Sequence, residues 1–166
     1  MGDRTASERG MRELLFWLVV CTSVLLDQAT KAAVRTVVGL GERLVLIPHV
    51  MDLTHVENIG AAFSMGEGAA PLFVLIALLV LVLACVLVWR EDLPMALVAS
   101  AACVAGGGMG NMIDRLWQGS VTDFLATSFI SFPVFNVADI FVTLGIAVSI
   151  VLWWSWDGHR EGKPTH

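Results

Sequence analysis

The segment PLFVLIALLVLVLACVLVW, residues 71–89, decides the fold class of this protein. It holds 19 residues and no charged side chain, and about 20 apolar residues are needed to cross the hydrocarbon core of a bilayer. Residues 95–112 form a second uncharged run, and residues 137–156 form a third in which Asp139 is the only charged residue. These three runs predict three membrane-spanning helices.

A fourth span is harder to recognise, because its apolar run covers only residues 14–26. Arginines precede this run, so on its own it also resembles a secretory signal peptide. The helix reaches a spanning length if it continues to residue 33. Asp27 and Lys31 then stand one turn apart and can form an ion pair, which lowers the cost of placing them in lipid. We therefore expect spans at about 14–33, 71–89, 95–112 and 137–156.

The overall composition supports a membrane protein. Hydrophobic residues make up 57% of the chain and the mean hydropathy is +0.77, whereas soluble domains are about 45–50% apolar. The net charge of −5 argues against nucleic-acid binding, which requires basic patches. The cysteines and histidines lack metal-ligand spacing. The sequence predicts a single all-α domain over residues 1–166, built as a bundle of four transmembrane helices.

Two longer connections, residues 39–70 and 113–136, are expected at the same end of the bundle because successive spans alternate in direction. The first contains two short β-prone runs and predicts a small strand-rich patch on the membrane surface. The second is read as a polar loop. Six lysines and arginines lie on the side of the termini and four on the other side. The positive-inside rule then places both termini in the cytoplasm and both connections outside.

With this topology the unusual polar residues collect in one layer at the outer end of the bundle. A charged side chain near a bilayer core costs several kcal/mol, about 2.5–3.5 on insertion scales, so it indicates a functional site. Scattered solvation would not place these residues at one depth. The layer contains Asp27, Gln28, Lys31, Asn58, Asn111, Asp114, Arg115, Asn136 and Asp139.

Asp123, in the second connection, and Asp139 are the pair most able to carry chemistry. Two carboxylates that approach closely share one proton. One can then act as base on a water molecule while the other, protonated, polarises a carbonyl group. This is the logic of aspartic peptidases.

Two other readings stay open from the residues alone. A small transporter could use Asp27, Lys31, Asp114 and Asp139 as a proton relay, although the inner halves of spans two to four lack polar residues to continue such a path. A serine–lysine dyad could use Ser64 with Lys31, although the sequence has no GxSxG motif.

Four segments are similar to those of a known family. They are DQATK at 27–31, NIGAAF at 58–63, GGGMGNMIDRLWQGSVTDF at 106–124 and FPVFNVAD at 132–139. In this order they resemble lipoprotein signal peptidase, the bacterial signal peptidase II family. The resemblance implies a four-helix aspartyl endopeptidase of the bacterial cytoplasmic membrane, with its active site at the outer face. It would remove signal peptides from diacylglyceryl-modified prolipoproteins, cutting just before the lipidated cysteine.

The resemblance also implies roles for individual residues. Asp123 and Asp139 would form the catalytic dyad. Residues that would line the substrate or inhibitor pocket are Asn58, Asn111, Arg115 and Asn136. Residues that would support the site are Asp27, Lys31, Gly60 and Asp114. The family needs no cofactor, acts among membrane lipids and is inhibited by the cyclic depsipeptide globomycin.

Overall fold

The structure, a computed structural model, describes residues 2–60 and 69–161. Four helices lie in this part of the chain: α1 (Gly2–Val37), α2 (Ala70–Arg90), α3 (Met95–Gln118) and α4 (Val137–Glu161). Three strands accompany them: β1 (Arg43–Ile47), β2 (Met51–Asn58) and β3 (Val121–Thr127). The predicted fold class, a four-helix membrane bundle with a small strand-rich patch, is confirmed.

All four helices are long and apolar enough to cross a membrane, as their sequences predict. The prediction for the end of the third span is wrong, since residues 113–118 continue α3 instead of opening a loop. The helix ends at Gly119, which adopts the left-handed conformation (φ 80°) that glycine tolerates, and its N–H bonds to Arg115 O at 3.2 Å. The helix continues because the polar side chains of this last turn find partners inside the protein.

Helix α3 is the centre of the bundle and contacts each of the other three helices. Half of its most apolar stretch is buried inside the protein, compared with at most 22% for the other helices. Small residues permit this close packing. A side chain at Gly106 would collide with Ser23 of α1, and one at Gly107 would collide with the backbone of Ala138 in α4.

The sheet has the order β1-β2-β3, with both pairs antiparallel. The second connection was predicted as a polar loop, but it contributes β3, and Asp123 lies on this strand opposite Val56. Strand pairing depends on a distant segment, so a local pattern could not indicate it. On its other side β3 meets Phe135, whose O accepts hydrogen bonds from Phe124 N and Leu125 N at 3.0 and 2.8 Å.

The sheet lies at one end of the bundle because α1 and α3 run towards it and α2 and α4 run away. We call this the sheet end. The start of α1 and the end of α4 lie at the opposite end. The ends of α1 and α3, the starts of α2 and α4 and the two longer connections therefore converge where the polar layer was predicted.

The packing of α3 against α4 generates a matched pair of substitutions. Gly107→Ala would bring a Cβ within 3 Å of Ala138 O, whereas Gly108→Ala would meet only Ala77 Cβ at 3.8 Å, an ordinary contact. We expect Gly107→Ala to lower the free energy of unfolding by about 1–3 kcal/mol and Gly108→Ala to have little effect. Thermal unfolding of both variants in detergent measures this, and equal stabilities would contradict the close packing.

Candidate active site

Asp123 is held by two asparagines at the sheet end. Asn58 is the last residue of β2, and its Nδ2 donates to Asp123 Oδ2 at 2.9 Å. Asn136, just before α4, donates from Nδ2 to Asp123 Oδ1 at 2.6 Å. Both oxygens of the carboxyl group are therefore hydrogen-bonded, and Asp123 is only 3% exposed.

Asp139 is fixed by the start of α4. The backbone N–H of Asn136 donates to Asp139 Oδ2 at 3.1 Å, and the backbone N–H of Asp139 donates to Asn136 Oδ1 at 3.0 Å. This reciprocal pair is a capping box, which satisfies free N–H groups in the first turn of a helix. The helix dipole also favours a negative charge at this position.

Asn111 joins Asp139 to the interior of the bundle. Its Nδ2 donates to Asp139 Oδ1 at 2.8 Å, and its Oδ1 accepts from Asn136 Nδ2 at 3.1 Å. The chain contains only three asparagines, and all three contact one of these two carboxyl groups. Asn136 contacts both, so it links the two aspartates directly.

Lys31 lies behind the asparagines in a fully buried ion centre. Its Nζ is 2.8 Å from Asp27 Oδ2, 3.0 Å from Asp114 Oδ2 and 2.8 Å from Asn111 Oδ1. The ion pair expected from the spacing of Asp27 and Lys31 is therefore present. Asp27 Oδ1 also accepts the backbone N–H of Ala138 at 3.0 Å, which ties α1 to the start of α4.

Arg115 points away from Asp114, its neighbour in sequence, and reaches the end of the first connection. Its guanidinium donates to Gly60 O at 2.9 Å and lies 4.7 Å from the centre of the Phe73 ring. Gly60 is further fixed by its N–H, which donates to Asn58 Oδ1 at 2.9 Å. The rest of the NIGAAF segment and Ser64 lie outside the described residues.

A cavity of about 550 Å³ opens beside the two carboxyl groups. Its polar lining comes from Asn58, Asn111, Arg115, Asp123, Asp139 and Thr143. Its apolar lining includes Phe132, Val134, Phe135, Ile140 and Leu144. Asn136 and the Lys31 ion centre are buried behind this lining. The cavity thus offers two carboxyl groups, four other hydrogen-bonding side chains and a hydrocarbon surface to one molecule.

The two carboxyl groups stand in different electrostatic surroundings. Burial raises the pKa of Asp123 to about 6, and the charge of Asp139 contributes to this increase, while hydrogen bonds from Asn58 and Asn136 oppose it. Asp139 instead accepts two N–H donors at a helix N-terminus. The two carboxyl groups therefore differ in their hydrogen-bond partners and share one cavity.

The sequence placed Gln28 in the polar layer, and the structure shows what it contacts: Gln28 Nε2 donates to Asp27 Oδ2, Gly110 O and Asp114 Oδ1 at 3.0–3.2 Å. One buried residue of the site, Thr122, was missed by the sequence analysis. Its N–H donates to Asp114 Oδ2 at 3.2 Å. Thr122 carried no signal, because its importance depends on the pairing of β3.

Charged residues do not form a path through the bundle. At the end opposite the sheet, Arg12 pairs with Asp92 at 2.7 Å. Between Glu13, which follows Arg12, and the polar layer, the described parts of the four helices contain no charged side chain. This distribution disfavours the proton-relay reading, which needs titratable groups across the whole membrane.

Comparisons with known proteins agree with these observations. The family model of Signal peptidase (SPase) II matches residues 19–155. A lipoprotein signal peptidase of Anoxybacillus flavithermus is 36% identical over 152 residues, covering 90% of each chain. One of Nostoc punctiforme is 38% identical over 142 residues, covering 85% of this chain and 90% of that protein.

The fold is also similar to solved structures. One, of a bacterial membrane enzyme, gives a TM-score of 0.81 at 27% identity and covers 91% of this chain and 94% of that one. A second gives 0.75 at 29% identity, covering 82% and 90%. The four apolar helices together with these matches make the chain a multi-pass membrane protein, and it belongs to the signal peptidase II family of peptidases.

Proposed function

We propose that this protein is an aspartyl endopeptidase that cuts diacylglyceryl-modified prolipoproteins just before the lipidated cysteine. The observation that carries the proposal is the pair Asp123 and Asp139, linked through Asn136 and exposed to one cavity. No metal ion or other cofactor is needed for this chemistry, because the two carboxyl groups supply both a base and an acid.

The reaction we propose begins with a water molecule between the two aspartates. Asp139 is ionised and removes a proton from the water molecule. The oxygen of this water attacks the carbonyl carbon of the scissile bond at the same time. Asp123 donates its proton to the carbonyl oxygen, which gives a neutral tetrahedral diol. Asp139 then passes its proton to the amide nitrogen, Asp123 recovers a proton from the diol, and the C–N bond breaks. The products are a signal peptide with a free carboxyl group and a lipoprotein with a free amino terminus.

The surroundings of the dyad support this division of roles. The capping box and Asn111 place two N–H donors on Asp139, which suits a carboxylate base. Burial favours the protonated form of Asp123, whose pKa is raised to about 6. In other carboxylate enzymes, different environments of two carboxyl groups distinguish the acid from the base.

The cavity supports a substrate that is part peptide and part lipid. Backbone groups of an extended peptide need hydrogen-bond partners wherever water is excluded, and Asn58 and Arg115 offer them at the cavity wall. Ile140 and Leu144 continue the cavity along α4 with hydrocarbon, where acyl chains can lie. A cyclic depsipeptide such as globomycin would compete with the substrate for binding to this wall of the cavity.

The charge bias of the sequence supports an orientation as well. We propose that the protein lies in the bacterial cytoplasmic membrane with both termini in the cytoplasm. The sheet end, and with it the dyad, would then face outwards, where prolipoproteins become available after translocation.

The first test replaces each aspartate of the dyad. Asp123→Asn and Asp139→Asn keep the size of the side chain but remove the proton exchange. We expect either variant to lower kcat for a diacylglyceryl-modified precursor on the order of 10³-fold or more, and the double variant to be no worse. Cleavage followed by mass spectrometry measures this, with thermal unfolding as a check that the variants fold.

The matched control is Asp92→Asn. Its side chain is 92% exposed at the opposite end of the bundle, so we expect its activity to equal that of the unmodified protein. Substantial turnover by either dyad variant would rule out the aspartyl mechanism.

The proton on Asp123 also predicts how stability depends on pH. Because its pKa is about 6 in the folded protein and about 4 when unfolded, the folded state binds the proton more tightly. This stabilisation is complete below about pH 4 and is lost as the pH rises through about 6.

Asp123→Asn lacks this titration and serves as the reference. We expect the stability of the unmodified protein, relative to this variant, to fall by about 2 kcal/mol between pH 4 and pH 7. Denaturation at several pH values measures the difference. A difference independent of pH would show that Asp123 does not hold the proton.

The orientation can be tested by labelling. In a background without native cysteines, Leu40→Cys places a thiol near the sheet, where the side chain is 72% exposed. Asp92→Cys places one at the opposite end, at a side chain that is 92% exposed. An impermeant maleimide added outside should label position 40 and should label position 92 only after permeabilisation. The reverse pattern would overturn the orientation.

A further inference from the structure

We propose that the buried ammonium group of Lys31 sets the orientation of the Asn111 side-chain amide and so keeps an N–H donor, and not a carbonyl oxygen, on Asp139. Lys31 contacts neither aspartate of the dyad and does not line the cavity. It is therefore a positioning residue that acts through Asn111. Only the kinetic consequence of this inference rests on the proposed function.

The orientation of an asparagine amide is decided by its partners. The O and N atoms are almost the same size, so a half-turn of the group exchanges them with little change in packing. Asn111 Oδ1 faces Lys31 Nζ at 2.8 Å and Asn136 Nδ2 at 3.1 Å, and both partners donate. Turning the amide would set its NH₂ group against the ammonium.

Lys31 is the stronger of these two constraints. Its bond to Asn111 is charge-assisted, and such bonds are about twice as strong as neutral ones. The Nδ2 of Asn136 is neutral, and its bond to Asn111 at 3.1 Å is longer than its bond to Asp123 at 2.6 Å. An ammonium group has three donors and no acceptor, so only an oxygen can satisfy it here.

Lys31 cannot turn aside to release this constraint. Its three N–H donors meet three acceptors, namely Asp27 Oδ2, Asp114 Oδ2 and Asn111 Oδ1, all within 3.0 Å. The side chain is fully buried, so water cannot replace any of them. The two carboxylates keep the ammonium charged and aimed at Asn111.

The consequence reaches the dyad through one hydrogen bond. With the observed orientation, Asn111 Nδ2 donates to Asp139 Oδ1 at 2.8 Å, which favours the carboxylate form of Asp139. With the amide turned, a carbonyl oxygen would face that carboxylate, and a proton on Asp139 would be favoured instead. Lys31 thereby acts on Asp139 through Asn111, whereas its own charge lowers the pKa of Asp123.

The test uses the small number of asparagines. Protein labelled with ¹⁵N-asparagine contains three side-chain NH₂ groups. The NMR signals of the Asn111 group are assigned because they are missing from the spectrum of Asn111→Leu. In the unmodified protein we expect the Asn111 signals to move as the dyad titrates. In Lys31→Met we expect this response to be lost.

Arg35→Met is the matched control. Arg35 is one helical turn from Lys31 and 3.8 Å from Asp114, but its hydrogen bond is to Thr122 and not to Asn111. We expect the Asn111 signals of this variant to titrate as in the unmodified protein. A response retained in Lys31→Met, or lost equally in Arg35→Met, would overturn the inference.

The kinetic readout separates positioning from a merely structural role. In Lys31→Met, kcat should fall with little change in KM, and the acid limb of the kcat/KM profile should move to higher pH by about one unit. A structural role would reduce the active fraction at every pH without moving the limb. Arg35→Met should leave the limb in place.

A second pair of variants covers the case in which Lys31→Met does not fold. The double variant Asp27→Asn/Lys31→Met removes a buried carboxylate together with its partner, and it is compared with Asp27→Asn by the same NMR titration. If no protein cleaves the lipidated precursor, including the unmodified one, the proposed function is wrong. The NMR comparison still decides the role of Lys31 in that case.

Discussion

The buried ion centre of Lys31, Asp27 and Asp114 is the interaction on which the rest of this structure depends. Charges inside a bundle are tolerated only when every donor and acceptor is satisfied, and removing one partner of such a pair costs about 3–5 kcal/mol. Here the centre joins α1 to α3, and Asp27 extends it to the first turn of α4. Helix packing and site geometry therefore have one common anchor.

The residues of the site lie at or near the ends of helices and strands around this ion centre. Asp139 is in the first turn of a helix, Asp123 is on a strand, and Asn58 closes the neighbouring strand. Their backbones give the two carboxyl groups different hydrogen-bond partners. The different surroundings of the proposed acid and base thus follow from where secondary structure begins and ends.

Much of this arrangement could be predicted from the sequence. Counts of apolar residues located all four spans, and the spacing of Asp27 and Lys31 indicated their ion pair. Topology then placed the polar residues in one layer. The residues themselves singled out Asp123 and Asp139 as the carboxylates most able to carry chemistry, and the family resemblance then implied their role as a dyad.

Other features depend on contacts between distant segments and had no local signal. Strand β3 exists because β2 offers it a partner. Asn136 looked like a pocket residue, yet it is fully buried and caps α4 while bonding both aspartates. Asn111 owes its orientation to a lysine 80 residues away in sequence.

The most direct test of the central claim gives the purified protein one precursor in two forms, with and without the diacylglyceryl group. The masses of the products are then measured. We predict a single cut before the lipidated cysteine in the modified form alone. Equal cleavage of both forms, a cut elsewhere, or no cleavage would contradict the account.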